Sequence, residues 1–159
     1  MTFIFAVLFG FVLGIGALLF HAALGRGSAQ NPLKNHLGAL LALYPAGVFA
    51  LLLSRSGEIL GSGVAERLEW ASELGLSLSF RLDGLSLLFG LLVSGIGALV
   101  LIYASGYLGA KNYAGRFYFF LVCFMAAMLG LVFSDNLLCL FVFWELTSIT
   151  SYGLIGTNH

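Results

Sequence analysis

The sequence predicts an all-α polytopic membrane protein with about five transmembrane helices and a small extramembrane β element before the third. Of its 159 residues, 60% are hydrophobic and 9% are charged, whereas soluble domains are about 45–50% apolar and about 25% charged. The apolar residues form runs close to the roughly 20 residues that a helix needs to cross a bilayer. The formal net charge is zero, so charge gives no support for a nucleic-acid partner.

The apolar runs predict a single membrane domain over residues 1–159. No positive residue precedes the first run, which is longer than a signal-peptide core, so we expect a retained span. Pro45 interrupts the second run and predicts a kink there. The predicted spans are residues 2–24, 37–54, 83–107, 117–133 and 136–156.

The connection between the second and third spans is the longest polar one. Its first part, Val64 to Leu74, is compatible with a short amphipathic helix. Its second part, Leu76 to Leu82, alternates strictly between apolar and polar residues, which is typical of a half-buried strand. Asp83 follows where a helix N-cap belongs, so we expect it to cap the third span.

Charge is distributed unevenly between the connections. The first and third connections contain only basic charged residues, and most acidic residues lie in the second. The positive-inside rule places the basic connections in the cytoplasm. We therefore expect a multi-pass protein of the plasma membrane with its N-terminus outside and its C-terminus cytoplasmic. The basic residues are Arg26, Lys34, Lys111 and Arg116.

Glu145 is a carboxylate roughly halfway along the predicted fifth helix, about 15 Å from either end. An ionised carboxylate at that depth costs about 2.5 kcal/mol or more, so it needs a partner, water or a proton. A desolvated carboxyl is suited to taking and releasing a proton, which favours a coupling role over a purely structural one.

Hydroxyl side chains surround this carboxylate in the sequence. Ser148 and Tyr152 share its helical face at i+3 and i+7. These hydroxyls are candidates for holding waters that feed the carboxyl, although helix packing and bonding to backbone carbonyls remain open. The supporting polar residues are Ser148, Thr150, Ser151 and Tyr152.

Other kinds of site receive no support from the sequence. Cys123 and Cys139 lie in apolar runs and are typical of small hydrophobic side chains in packed helices. Histidine, cysteine and carboxylate residues lack metal-ligand spacing, and glycine-rich phosphate or dinucleotide loops are missing. The sequence predicts no cofactor, no metal site and no enzyme acting on a soluble substrate.

Three stretches resemble a known family, namely residues 80–89, residues 115–118 and, most strongly, residues 128–152. They are similar to the antiporter-like subunits shared by Mrp-type Na⁺/H⁺ antiporters and respiratory complex I. The motif Trp-Glu-Leu-Thr-Ser-Ile resembles the MrpA subunit of the Mrp antiporter more than subunit 5 of complex I. The resemblance is to the N-terminal part of MrpA, and members have many more spans. It therefore implies either a fragment or helices supplied by another chain.

The resemblance implies monovalent cation (Na⁺)/proton antiport within a multi-subunit Mrp complex. By motif, Glu145 matches the family glutamate that pairs with a lysine two helices later and takes part in ion or proton transfer. The implied partners are the other Mrp subunits, Na⁺, H⁺ and the lipid bilayer, with no nucleic acid.

Two alternatives remain open. A proton-translocating subunit of complex I or of a membrane-bound hydrogenase shares the carboxylate motif, and would make the chain part of a redox-driven translocase. A non-conducting structural module would use Glu145 only to bond a neighbouring helix. In the latter case Glu145→Gln should keep all activity, because an amide preserves a hydrogen bond but cannot titrate.

Overall fold

The structure, a computed structural model, describes residues 1–25, 32–71, 76–108 and 113–158. Five of its helical segments are long and apolar enough to cross a membrane, which confirms the predicted fold class. The elements are α1 (Thr2–Gly25), α2 (Pro32–Leu41), α3 (Leu43–Ser54), α4 (Ser56–Gly61), β1 (Val64–Ala71), β2 (Leu76–Leu82), α5 (Gly84–Leu108), α6 (Ala114–Phe133) and α7 (Leu137–Ile155), followed by a 3₁₀ turn over Gly156–Asn158.

Helix α6 is the centre of the bundle. It packs against α1, α5 and α7, and 56% of its most apolar stretch is buried. On the α1 side the contact depends on Gly10 and Gly14. A Cβ at Gly10 would lie 2.8 Å from Cβ of Ala126 on α6, and one at Gly14 would lie 2.7 Å from Sγ of Cys123 on the same helix. These two glycines let α1 approach α6 closely.

The second predicted span is divided into α2 and α3 at Ala42. Proline has no backbone N–H, so Pro45 cannot donate to the carbonyl of Leu41, four residues earlier. The helix is interrupted there for one residue. Residues His36–Ser54 nevertheless form one apolar segment long enough to cross a membrane.

The short amphipathic helix expected from Val64 to Leu74 is wrong for its described part. Val64–Ala71 is strand β1, paired antiparallel with β2 from Val64↔Leu82 to Ala71↔Leu76. Pairing with the strictly alternating β2 satisfies backbone groups that a short exposed helix would leave to water, so tertiary context overrides local preference. Residues 72–74 lie outside the described part, as do Arg26 and Lys111 of the basic connections.

The β1–β2 hairpin covers the helix ends formed by the start of α1, the end of α6 and the start of α7. We call this the hairpin end of the bundle. Phe80 of β2 is fully buried, with its ring 6.0 Å from that of Phe133 and 5.8 Å from that of Phe143. Phe3 of α1 joins the same cluster at 6.0 Å from Phe133. These aromatic contacts hold the hairpin on the membrane helices.

Asp83 caps α5, as the sequence predicts. The Ser86 N–H donates to Oδ1 of Asp83 at 2.9 Å, and the Asp83 N–H donates to Oγ of Ser86 at 2.6 Å. Hydrogen bonds from the Ser86 backbone and side chain hold the pKa of the Asp83 carboxyl below its usual value. The third span therefore begins at a reciprocal cap.

Candidate functional site: the carboxylate of helix α7

Helix α7 begins at a side-chain cap. Asn136 has an extended backbone and its side chain accepts from the Cys139 N–H at 2.7 Å. Glu145 lies about 12 Å further along the helix, from 1.5 Å per residue after Leu137. The carboxylate therefore stands near the middle of the membrane-spanning segment.

Only one face of α7 is covered by the described chain. Its buried residues are Cys139, Phe143 and Thr150, whose spacing of four and seven defines a single face. Overall, 17% of its most apolar stretch is buried. Helix α7 thus lies at the edge of the bundle with most of its circumference uncovered.

Glu145 lies on the uncovered side. Its side chain is exposed, as are those of Trp144, Ser148 and Tyr152. Within the described residues no hydrogen bond or ion pair reaches the Glu145 carboxylate. The carboxylate thus has neither a charge partner nor a covering helix in this part of the chain.

The structure divides the four supporting hydroxyls. Ser148 and Tyr152 are exposed on the side of Glu145, Ser151 is half-buried, and Thr150 is buried. Five residues of helix turn Thr150 by about 140° from Glu145. Thr150 therefore faces the bundle and is not brought together with the carboxylate.

Three hydroxyls of α7 bond to their own helix. Oγ of Ser148 donates to the Trp144 carbonyl at 3.2 Å, and Oγ1 of Thr150 donates to the Leu146 carbonyl at 2.6 Å. Thr147 makes a similar bond to the Trp144 carbonyl at 2.7 Å. Such bonds satisfy hydroxyls inside a membrane helix, as the structural alternative for these residues expects.

Sequence reasoning missed a buried carboxylate, Glu66 of β1. Glu66 is 8% exposed, and its Oε2 accepts from the N–H groups of Phe3 and Ile4 at 2.9 and 3.0 Å. Oε1 lies 2.9 Å from the amino group of Met1. The signal that could have found it is the alternation of a strand: once this segment is assigned as a strand, Glu66 lies two residues from Leu68 and therefore on the same inward face.

An apolar cleft of about 450 Å³ opens between α1 and α7 beneath the hairpin. A second cleft has polar walls, with a volume of about 300 Å³, and is lined by Arg81, Asp83 and Asp135 among others. Among the described residues, no three His, Cys, Asp or Glu side chains come together as a metal-binding group. The apolar cleft is lined by Leu8, Phe11, Leu68, Ser77, Leu78, Leu138, Cys139, Val142, Phe143 and Leu146.

Comparisons with known proteins match this chain to a family model and to curated relatives. Residues 69–118 match the family model described as NADH-ubiquinone oxidoreductase (complex I), chain 5 N-terminus. The A1 subunit of the Na⁺/H⁺ antiporter of Staphylococcus haemolyticus is 46% identical over 124 residues, which are 77% of this chain and 15% of the relative. The A1 subunit from Staphylococcus aureus is 45% identical over 124 residues, with 77% and 16% covered.

A solved structure agrees along nearly the whole chain. A chain of the Mrp complex from Dietzia sp. superposes with a TM-score of 0.77 and 32% identity, covering 98% of this chain and 16% of that one. In sequence and in structure, this chain is similar to antiporter-like subunits. The resemblance inferred from residues 80–152 is thereby confirmed, and the antiporter-like chain is a multi-pass membrane protein. It spans 15–16% of the length of the curated relatives that it matches.

Proposed function

We propose that this antiporter-like chain works in monovalent cation (Na⁺)/proton antiport as part of a multi-subunit Mrp-type complex, with Glu145 as the intramembrane coupling carboxylate. On this proposal it is a transporter component and not an enzyme. The carrying observation is the position of Glu145, near the middle of a membrane-spanning helix and on its uncovered side. The choice of Na⁺ and H⁺ as the transported ions comes from the relatives, which are named as Na⁺/H⁺ antiporter subunits.

The exposed residues on the uncovered side of α7 favour the hypothesis that another polypeptide segment packs there. Exposed residues on α7 include large apolar ones such as Phe141, Trp144 and Ile149, which flank the carboxylate on neighbouring turns. An ionised carboxylate facing lipid alone is costly, so either a proton or a basic partner must accompany it. We propose that a helix outside the described residues covers this side and carries the family's partner lysine.

A carboxylate and a movable cation together make a coupling device. A nearby ammonium favours the ionised form of the carboxyl, and withdrawal of that ammonium in a desolvated site favours proton uptake. A cation passing through the neighbouring path has the same effect as the ammonium. Proton binding at Glu145 and cation occupancy therefore oppose each other, as exchange requires.

We further propose one membrane domain with the hairpin end outside the cell and the C-terminus in the cytoplasm. Arg116 is exposed at the start of α6, at the end opposite to the hairpin. In the sequence, the first and third connections follow α1 and α5 and contain only basic charged residues. A positive cytoplasmic side is the expected arrangement.

The test measures sodium-driven collapse of the pH gradient in everted membrane vesicles containing the chain with the rest of its complex. We expect sodium to collapse the gradient in wild type but not in Glu145→Gln or Glu145→Ala at equal protein levels. Glu58→Gln is the matched control, because Glu58 is an exposed carboxylate that pairs with Arg55 at 2.7 Å outside the membrane spans. Wild-type transport by Glu145→Gln would leave only the structural-module hypothesis.

The second candidate is a proton-translocating subunit of complex I or of a membrane-bound hydrogenase. The match of residues 69–118 to the complex I chain 5 model favours it. The same vesicles separate the two functions. A pH gradient that is insensitive to sodium in wild type, yet changed by Glu145→Gln under electron-donor turnover, would favour the redox-driven translocase.

A further inference from the structure

We propose that the β1–β2 hairpin is a staple that joins the hairpin-end termini of α1 and α7, with Glu66 and Asn136 as its two polar anchors. Helices α1 and α7 line opposite walls of the apolar cleft, through Leu8 on one side and Leu138 on the other. The joining of the two helices stands on the contacts described below. Its consequence for transport rests on the proposed function of Glu145.

The first anchor is Glu66 on α1. The first-turn N–H groups of a helix have no partner within the helix. Glu66 supplies one carboxylate oxygen to two of them, those of Phe3 and Ile4. A negative group at a helix N-terminus is favourable, and hydrogen bonds to an ionised acceptor are stronger than neutral ones. Strand β1 is therefore fixed to the first turn of α1.

The second anchor is Asn136 on α7. Its Nδ2 donates to the Ser77 carbonyl of β2 at 3.1 Å, while its Oδ1 accepts from the Cys139 N–H at 2.7 Å. An amide is suited to this position because it presents a donor and an acceptor at once. The same side chain thus caps α7 and ties it to the hairpin.

Strand pairing connects the two anchors. Glu66 lies directly opposite Phe80 in the antiparallel register, and Phe80 forms a bridge with Ser134 just before α7. The Asp135 N–H donates to the Ser79 carbonyl at 2.9 Å. A continuous path of hydrogen bonds therefore runs from the first turn of α1 through both strands to the first turn of α7.

The staple gives Glu66 and Asn136 the role of positioning residues. The start of α7 is only about 12 Å from Glu145 along the helix axis. A shift at Asn136 is carried along the rigid helix to the carboxylate. The hairpin thus holds the Glu145 carboxylate in place whether or not that carboxylate takes part in proton transfer.

Backbone hydrogen–deuterium exchange of the whole chain in its membrane complex tests the staple. We expect Glu66→Gln to speed exchange roughly fivefold or more at residues 2–8, and also at residues 134–142. In the reverse direction, Asn136→Asp keeps the cap acceptor but removes the donor to Ser77. It should speed exchange at residues 134–142 and also at residues 2–8. Glu58→Gln controls for loss of a surface charge and should change neither segment.

Faster exchange confined to residues 2–8 in Glu66→Gln would overturn the proposal, because Glu66 would then act only as a local cap. Confinement to residues 134–142 in Asn136→Asp would overturn it equally. If Glu66→Gln fails to assemble, Glu66→Asp, which keeps the charge on a shorter side chain, replaces it with the same expectation. Exchange is measured without transport, so the staple and the role of Glu145 succeed or fail separately.

Discussion

The ring of Phe143 on α7 occupies the space that a side chain at Gly130 on α6 would need. A Cβ at Gly130 would lie 2.6 Å from Cζ of Phe143. The same ring lies 5.8 Å from Phe80 of the hairpin. Phe143 is therefore the point where α7, α6 and the hairpin meet, and it faces away from the uncovered side of α7.

Gly130→Ala should loosen α7 from α6. The added methyl collides with a buried ring, and overpacking of this kind costs about 1–3 kcal/mol. We expect a lower thermal unfolding midpoint for the complex in lipid nanodiscs. Gly47→Ala is the control, because Gly47 lies in an exposed helical position with open space at its Cβ. An unchanged midpoint for Gly130→Ala would show that Phe143 can move aside without loss.

Two glycines of α1 give a matched pair on one helix. A Cβ at Gly14 would lie 2.7 Å from Sγ of Cys123, whereas nothing lies within 4 Å of a Cβ at Gly16. Gly14→Ala should therefore destabilise by about 1–3 kcal/mol, and Gly16→Ala should stabilise slightly because alanine favours helix. The order of the two midpoints in thermal unfolding checks this. Equal midpoints would contradict close packing of α1 on α6.

The sequence predicts the membrane helices well because each consists of a long apolar run with few competing structures. Of the two strands in the sheet, only β2 is predicted from the sequence. Strand β2 alternates strictly, but β1 places Glu66 at an inward position, where a strand facing a core normally carries an apolar residue. Its partner is the start of α1, more than 60 residues earlier, and no local pattern shows a contact of that range.

The candidate site shows the same limit. Helical periodicity places Ser148 and Tyr152 with Glu145, and all three are exposed on α7. Periodicity cannot tell which side of the helix faces α6. Phe143 and its match with Gly130 decide that, and they direct Thr150 inward.

Asp83 should make stability depend on pH in the acidic range. Its pKa is lowered in the folded chain by hydrogen bonds from Ser86, relative to an ordinary value of 3.8. The ionised cap therefore stabilises fully above pH 3.8, and this contribution is lost as pH falls through the lower folded value. Thermal midpoints of wild type and Asp83→Asn should converge as pH is lowered below 3.8, since asparagine caps without a charge. A constant difference would mean that ionisation of Asp83 is irrelevant to stability.

Ser148 and Thr150 should respond differently to loss of their hydroxyls. Ser148 is exposed one turn from Glu145 on the same side, and its bond to the Trp144 carbonyl is long at 3.2 Å, so its hydroxyl can turn to a water beside the carboxylate. Ser148→Ala should slow sodium-driven collapse of the pH gradient roughly two- to tenfold, the worth of one hydrogen bond. Thr150 is buried against the bundle and bonds the Leu146 carbonyl at 2.6 Å. Thr150→Val should therefore leave the transport rate within about twofold of wild type. Slower transport in Thr150→Val than in Ser148→Ala, at equal protein levels in the same vesicles, would place the proton path on the covered side of α7.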